Sequence, residues 1–268
     1  MSKIENIRSH QTSFVGNTAI STLRMIEINP IEICNRVCEF CPRSMPELYP
    51  NKNLKTSNEL IQKIANDCNS FGYDGRIGFV GFGEPTLHKK IIEQIEILST
   101  IKTLNYLEIN TNGDFLNRDK IKQLKKAGLT HLTVSMYDED ISNNLFEMGR
   151  GIDIEIVPRH CYPQKFELKI VNRNDIFTGK GKTVKRSCYI PFYKMFIDWN
   201  GDVLLCCNDW NKTVKAGNVN KKPLDELWHG KTFNAIRDNL KVGNRCDKPC
   251  DKCNVQGVLV GKESIEQH

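Results

Sequence analysis

Segments of strand character alternate with segments of helical character from residue 25 onward, and that order constrains the fold of this 268-residue chain more than any other feature. Residues 25–33, Met-Ile-Glu-Ile-Asn-Pro-Ile-Glu-Ile, read as a strand because isoleucines recur at alternate positions. Thr56-Ser57-Asn58-Glu59 has the form of a capping box, and Leu60, Ile61, Ile64, Ala65 and Cys68 follow at helical spacing. Cys68 then falls on the buried face of that helix, where a free thiol behaves as a small hydrophobe. A strand at 76–80 precedes a helix with Ile91, Ile92, Ile95 and Leu98 on one face. A strand at 105–110 precedes a helix capped by Asn117, carrying Ile121 and Leu124, and ended by Gly128. His131–Met136, Ile152–Val157 and Phe166–Val171 alternate as three further strands. Such an order implies a parallel sheet with helical crossovers. Six units are too few to close an eight-stranded barrel. The expected fold is therefore α/β, an open, partial (β/α)6 TIM-like barrel with its reactive loops at the C-terminal ends of the strands.

The character changes near residue 180. Gly179, Gly181 and their basic neighbours mark a linker, dividing the chain into residues 1–180 and 181–268. Met195–Asp198 and Val203–Leu205 flank Trp199-Asn200-Gly201-Asp202, and Asn-Gly between apolar runs is a strong hairpin signal. Two short helices, around Leu224–Trp228 and Phe233–Leu240, lead into the last cysteines. The second part is thus expected to be a small β-hairpin/helix domain.

The N-terminus, Met1-Ser2-Lys3-Ile4-Glu5-Asn6, lacks the apolar core of a secretory signal. No run of about 18 apolar residues occurs, so a cytoplasmic location without membrane association is expected. Disulfides are rare there, and eleven cysteines then point to metal or redox chemistry. The charge of +6, from 38 basic and 32 acidic side chains, is spread along the chain. It gives no footprint of nucleic-acid binding.

Nine of the cysteines fall into two groups. Cys34-Asn35-Arg36-Val37-Cys38-Glu39-Phe40-Cys41-Pro42 holds three thiols. Four thiolates normally close a [4Fe–4S] cubane, so three leave one iron open; the alternative is a zinc site, which would want a fourth ligand nearby. Gly81-Phe82-Gly83-Glu84-Pro85 follows the second strand, Thr111-Asn112-Gly113 follows the third, Ser135 lies in the fourth and Asn172-Arg173 ends the last. Cys188, Cys206, Cys207, Cys246, Cys250 and Cys253 form the second group, a set that suits either an iron–sulfur cluster or a four-cysteine zinc knot.

The first cysteine spacing, with Phe40 before the third thiol and a Gly-Glu-Pro loop one strand later, resembles the radical S-adenosylmethionine (SAM) superfamily. The second group resembles its SPASM/twitch class, and the shorter twitch form of the 2-deoxy-scyllo-inosamine dehydrogenase-like enzymes is the nearer pattern. The resemblance implies that Cys34, Cys38 and Cys41 hold a [4Fe–4S] cluster whose open iron binds SAM. Phe40, Gly81, Gly83, Glu84, Pro85, Asn112, Ser135 and Arg173 would contact SAM, and Cys188, Cys206, Cys250 and Cys253 would hold an auxiliary [4Fe–4S] cluster. Cys207 and Cys246 are then surplus. It further implies reductive cleavage of SAM to a 5′-deoxyadenosyl radical, with electrons from a reductant such as flavodoxin or ferredoxin. The radical would abstract hydrogen from a small polyhydroxylated or amino-sugar-type substrate, in oxidation or epimerisation. Arg173 would contact substrate or SAM, and Cys161, beside His160, would serve as a hydrogen-atom donor in the epimerising case. The competing readings are a SPASM-type peptide-modifying enzyme and a non-enzymatic iron–sulfur electron carrier.

Overall fold

In the computed structural model, residues 22–137, 139–160, 173, 176–177 and 183–255 are described. Five strands follow the expected order: β1 (Met25–Ile28), β2 (Arg76–Phe79), β3 (Tyr106–Thr111), β4 (His131–Met136) and β5 (Glu155–His160). Between them run α1 (Asn58–Ser70), α2 (Ile91–Ser99), α3 (Arg118–Lys126) and α4 (Glu139–Gly149). All neighbours among these strands are parallel. A short helix, α5 (Ile190–Tyr193), leads into β6 (Lys194–Ile197), which lies parallel to β1 on its other side. β7 (Asp202–Leu204) and β8 (Lys215–Asn218) add antiparallel, and α6 (Leu224–Trp228) and α7 (Lys231–Lys241) follow. Among the described residues the sheet order is β5-β4-β3-β2-β1-β6-β7-β8, eight strands that do not close. The hairpin is thus a continuation of the barrel sheet, and it supplies the sixth parallel strand. The expected strand at 166–171 and the linker glycines 179 and 181 lie outside the described residues, as does Cys161.

Three boundaries differ from the sequence reading, each for a local reason. β1 stops at Ile28, because Asn29 turns its amide to Asp198 and Glu32 and Pro30 follows. The cap of α1 is Ser57, whose hydroxyl accepts from Leu60 N–H at 3.2 Å. Thr56 is buried instead and donates to Gln94 Oε1 at 3.1 Å. β5 begins at Glu155 rather than Ile152 and continues through Pro158, at the edge of the sheet among the described residues, where a strand tolerates a residue without an N–H.

The alternation along each strand separates two chemistries. Ile26, Ile28, Ile77, Phe79, Leu107, Ile109, Leu132 and Val134 form one face with Ile61, Ile64, Ile95, Ile121 and Leu124 of the helices, all buried. Cys68 is buried in this layer, as its helical position requires, and burial pushes its thiol far up. The intervening residues make the opposite face polar. There Lys194 pairs with Glu27 at 2.6 Å, Arg76 with Glu108, and His131 with Glu155 at 3.1 Å, while Thr133 donates to Glu108 at 2.5 Å. Burial alone would raise the Glu108 carboxyl, but the Arg76 guanidinium and the Thr133 hydroxyl outweigh it and hold the group below its ordinary value.

A buried ion network ties the strand ends where the two parts of the chain meet. Glu32 accepts from Arg43 at 2.9 Å and from Lys212 at 2.6 Å; Lys212 also reaches Asp198 at 2.6 Å. Asn29 donates to Asp198 at 2.8 Å and to Glu32 at 3.2 Å. Lys212 adopts φ 51° to do this, a left-handed conformation that costs a residue with a Cβ about 1 kcal/mol or more. Among the described residues no helix is long and apolar enough to cross a membrane.

Two outcomes follow from these ion pairs. Arg43→Leu removes one of the two cations on buried Glu32 and is expected to cost about 3 kcal/mol in urea unfolding, whereas exposed Lys52→Leu should change it by less than about 0.5 kcal/mol. A carboxyl with a depressed folded-state pKa contributes stability that is present above its unfolded value of about 4.3 and lost as pH falls through the folded value. Glu108→Gln should therefore flatten the acid limb of the stability–pH profile below about pH 4.

Candidate active site

The chain leaving β1 forms the three-thiol loop. Its start is fixed by Asn51, which accepts from Cys34 N–H at 3.0 Å and returns a bond to Cys34 O at 3.0 Å. Cys41 N–H donates to Cys38 O at 2.9 Å, and Ser44 donates its hydroxyl to Cys41 O at 2.8 Å as a 3-10 turn over Pro42–Ser44 begins. The three thiols are half-buried, and burial pushes those of Cys34 and Cys41 up. Phe40 stacks on Tyr137 at 6.3 Å, and the guanidinium of Arg36 lies over the same ring at 4.4 Å. Arg36 also clasps Asp114, and its hydrogen bonds hold that carboxyl below the usual range.

The Gly81–Pro85 loop presses against the same segment. A Cβ on Gly83 would lie 2.2 Å from Ile31 O and 2.6 Å from Ile33 O; one on Gly81 would meet Asn29 Oδ1 at 2.3 Å. Only glycine permits this approach. Phe82 N–H donates to Asn29 Oδ1 at 2.9 Å and Glu84 N–H to Ile33 O at 2.8 Å. Arg43 closes the contact from the cysteine side, donating to Phe82 O at 3.0 Å and to Pro50 O at 2.5 Å.

Glu84 is buried and its carboxylate is engaged by the protein itself. Oε1 accepts from Thr86 N–H at 3.0 Å, Thr86 Oγ1 at 2.6 Å and Thr111 Oγ1 at 2.6 Å, and Oε2 accepts from Asn112 N–H at 2.8 Å. Asn112 in turn donates to Asn35 Oδ1 at 2.8 Å. The first thiol loop, the Gly-Glu-Pro loop and the end of β3 therefore form one hydrogen-bonded unit, with buried Pro85 opening a 3-10 turn. Ser135 is buried on the polar face of β4, paired in register with Arg159.

The second thiol group assembles at the end of the hairpin. Cys188, Cys206, Cys250 and Cys253 line one cavity with Asn208, Asp209 and Arg245. Burial pushes the thiol of Cys250 up to about 12 and raises those of Cys188 and Cys253. A metal must displace those protons to bind. Among the described residues no three Cys, His, Asp or Glu side chains converge as they would on one ion. The four thiols instead sit on the walls of the cavity, which suits the corners of a cubane. Buried Arg245 is spent on the carbonyls of Arg186 at 2.7 Å and Val255 at 2.9 Å, bringing a cation beside these thiols. Cys246 is exposed, and Cys207 packs against Phe82, Phe196, Leu204 and Trp210 outside the cavity. Cys207 is nevertheless hydrogen-bonded to Cys206 and so adjoins the four thiols.

Arg173 stands between the groups. Its charge is felt by Cys41 of the first set and by Cys207 and Cys253 of the second. It donates from Nη1 to Asn208 Oδ1 at 2.6 Å, has φ 48°, and keeps a buried Nε with no hydrogen-bond partner. Sequence reasoning did not find Arg43, Glu27, Glu32, Asn208 or Lys212. Arg43, two residues beyond Cys41, was adjacent to a motif, but nothing in one sequence marks a neighbour as buried.

Comparison with known proteins agrees with this geometry. Residues 28–157 match the radical SAM superfamily model and residues 188–254 the SPASM iron–sulfur cluster-binding domain. The chain is 26% identical over 235 residues to the S-adenosyl-L-methionine-dependent 2-deoxy-scyllo-inosamine dehydrogenase of Niallia circulans, across 86% of this chain and 92% of that one. A GTP 3′,8-cyclase of Aquifex aeolicus is 28% identical over 134 residues, 49% of this chain but 41% of the cyclase. The crystal structure of BtrN in complex with AdoMet and 2-DOIA matches with a TM-score of 0.77 at 25% identity, over 89% of this chain and 96% of that one. With a model matched on each side of Arg173 and one fold shared along most of the chain, the protein belongs to the radical SAM superfamily, in its SPASM/twitch class.

Proposed function

We propose that this radical SAM enzyme oxidises a hydroxyl-bearing carbon of a small polyhydroxylated or amino-sugar molecule. The likeness to the Niallia dehydrogenase along nearly its whole length supports that substrate class. When bound, SAM at the open-site cluster supplies a 5′-deoxyadenosyl radical that removes hydrogen from carbon, and the auxiliary cluster supplies a one-electron acceptor. Cys34, Cys38 and Cys41 hold the first cluster; Cys188, Cys206, Cys250 and Cys253 hold the second. Three thiols in one set and four in the other fit those two tasks.

The observation that carries the reading is the position of Arg173, in electrostatic reach of both thiol sets with an unpartnered Nε. A guanidinium is not deprotonated in proteins, so Arg173 acts as a donor. It holds the substrate oxygen and stabilises the negative charge that grows there as its proton leaves. Glu27 offers the polar substrate an acceptor: its Oε1 is taken by Lys194, and its buried Oε2 has no partner. That lone acceptor suits a substrate hydroxyl or amine, since leaving it dry costs about 1–3 kcal/mol. Phe40, Gly81, Gly83, Glu84, Pro85, Asn112 and Ser135 border SAM, the glycines by exposing backbone. Glu84 contributes mainly by bracing the end of β3, because four hydrogen bonds already occupy it.

The functional division follows residues 1–180 for radical generation and 181–268 for the auxiliary cluster. An electron donor such as flavodoxin or ferredoxin reduces the first cluster; Val37, 71% exposed between two ligating thiols, brings that loop to the surface.

Anaerobically reconstituted protein should carry about eight irons per chain and release 5′-deoxyadenosine from SAM under strong reductant. The Cys34, Cys38 and Cys41→Ala triple variant should keep about four irons and release none. Unchanged iron content in that variant would refute the two-site assignment, and a fully loaded wild-type enzyme that leaves SAM intact would refute the radical chemistry.

A further inference from the structure

We propose that Asn208 is a positioning residue that links Arg173 to the auxiliary cluster, fixing the guanidinium with one end of its amide and tuning the cluster with the other. The proposal rests on the reading of the second thiol set as that cluster. Asn208 is buried, 8% exposed, two residues beyond Cys206. Its Oδ1 accepts from Arg173 Nη1 at 2.6 Å; its Nδ2 faces Cys206 Sγ at 3.6 Å, and its backbone N–H faces the same sulfur at 3.4 Å. The direction of the amide is set by chemistry. A guanidinium has only donors, so the oxygen of Asn208 must face it, which leaves the NH2 end for the sulfur.

The two ends have separate consequences. N–H groups directed at a ligating sulfur draw electron density from it and favour the reduced cluster, a recognised lever on iron–sulfur potentials. Cys206 receives two such groups from Asn208, whereas Cys253 receives one, from Val255 N–H at 3.4 Å. At the other end, Arg173 holds a left-handed backbone, φ 48°, which persists only where the surroundings impose it. The Asn208 oxygen is a charge-assisted anchor that leaves Nε directed elsewhere. One side chain thereby places the group facing the substrate oxygen and sets the acceptor for the departing electron.

Aspartate and alanine separate the two roles. Asn208→Asp keeps an oxygen for Arg173 and loses the N–H toward sulfur; Asn208→Ala loses both. The auxiliary potential is titrated by electron paramagnetic resonance in the Cys34, Cys38 and Cys41→Ala background, where it is read without SAM chemistry. Both substitutions should make electron acceptance about tenfold less favourable, a shift of about 59 mV to more negative potential for one electron. In the otherwise wild-type enzyme, Asn208→Asp should lower kcat with KM nearly kept, and Asn208→Ala should lower kcat and raise KM as Arg173 loses its anchor. If the background protein holds no iron at the second set, the auxiliary-cluster reading itself fails. If it holds about four irons and neither variant moves the potential, the role of Asn208 alone is overturned; should one variant fail to assemble the cluster, the other decides.

Discussion

Glu32 is a carboxylate buried at the exit of the central strand, and the relative placement of the two thiol sets depends on what surrounds it. Burying such a charge costs several kcal/mol unless cations and hydrogen bonds offset it. Here one cation, Arg43, comes from the first thiol loop and the other, Lys212, from the segment between β7 and β8. Each cation has further work: Arg43 holds the carbonyl of Phe82, and Lys212 holds Asp198 at the end of β6. The cysteine loop, the glycine loop and the auxiliary hairpin are thus fastened to one point. A chemistry that needs a radical source and an electron acceptor around one substrate requires such fixed spacing.

The sheet divides the labour between its faces. Its apolar side packs on α1–α3 and supplies the stability, while its polar side is filled with ion pairs whose charges are mutually satisfied. Against that satisfied background the buried atoms left over are informative. Glu27 Oε2 and Arg173 Nε differ in sign, and both belong to residues whose charge Cys207 feels. One is an acceptor and the other a donor, a pair that suits a hydroxyl or amine better than an apolar group.

Much of this was legible in the sequence because spacing carries it. Helix caps, strand alternation and the three-plus-six grouping of cysteines are local patterns, and they located the elements and thiol sets. What the sequence did not reveal depends on chain segments meeting at long range. Nothing in Lys194–Ile197 says that it will pair with β1, so the joining of the hairpin to the parallel sheet is not legible locally. The bonds of Glu84 to Thr111 and Asn112 span 27 and 28 residues, so its bracing of β3 is not visible locally. Asn208 and Arg43 were ordinary polar residues until burial and partners were known.

With three thiolates, the loop at Cys34, Cys38 and Cys41 would leave one iron free to chelate the amino and carboxylate groups of SAM. The most direct measurement is electron–nuclear double resonance of the reduced protein with SAM labelled with 15N at the amine and 17O at the carboxylate. Both nuclei should couple to the N-terminal cluster, and the coupling should vanish in the three-cysteine variant. A reduced cluster that binds SAM without either coupling would contradict that chelation.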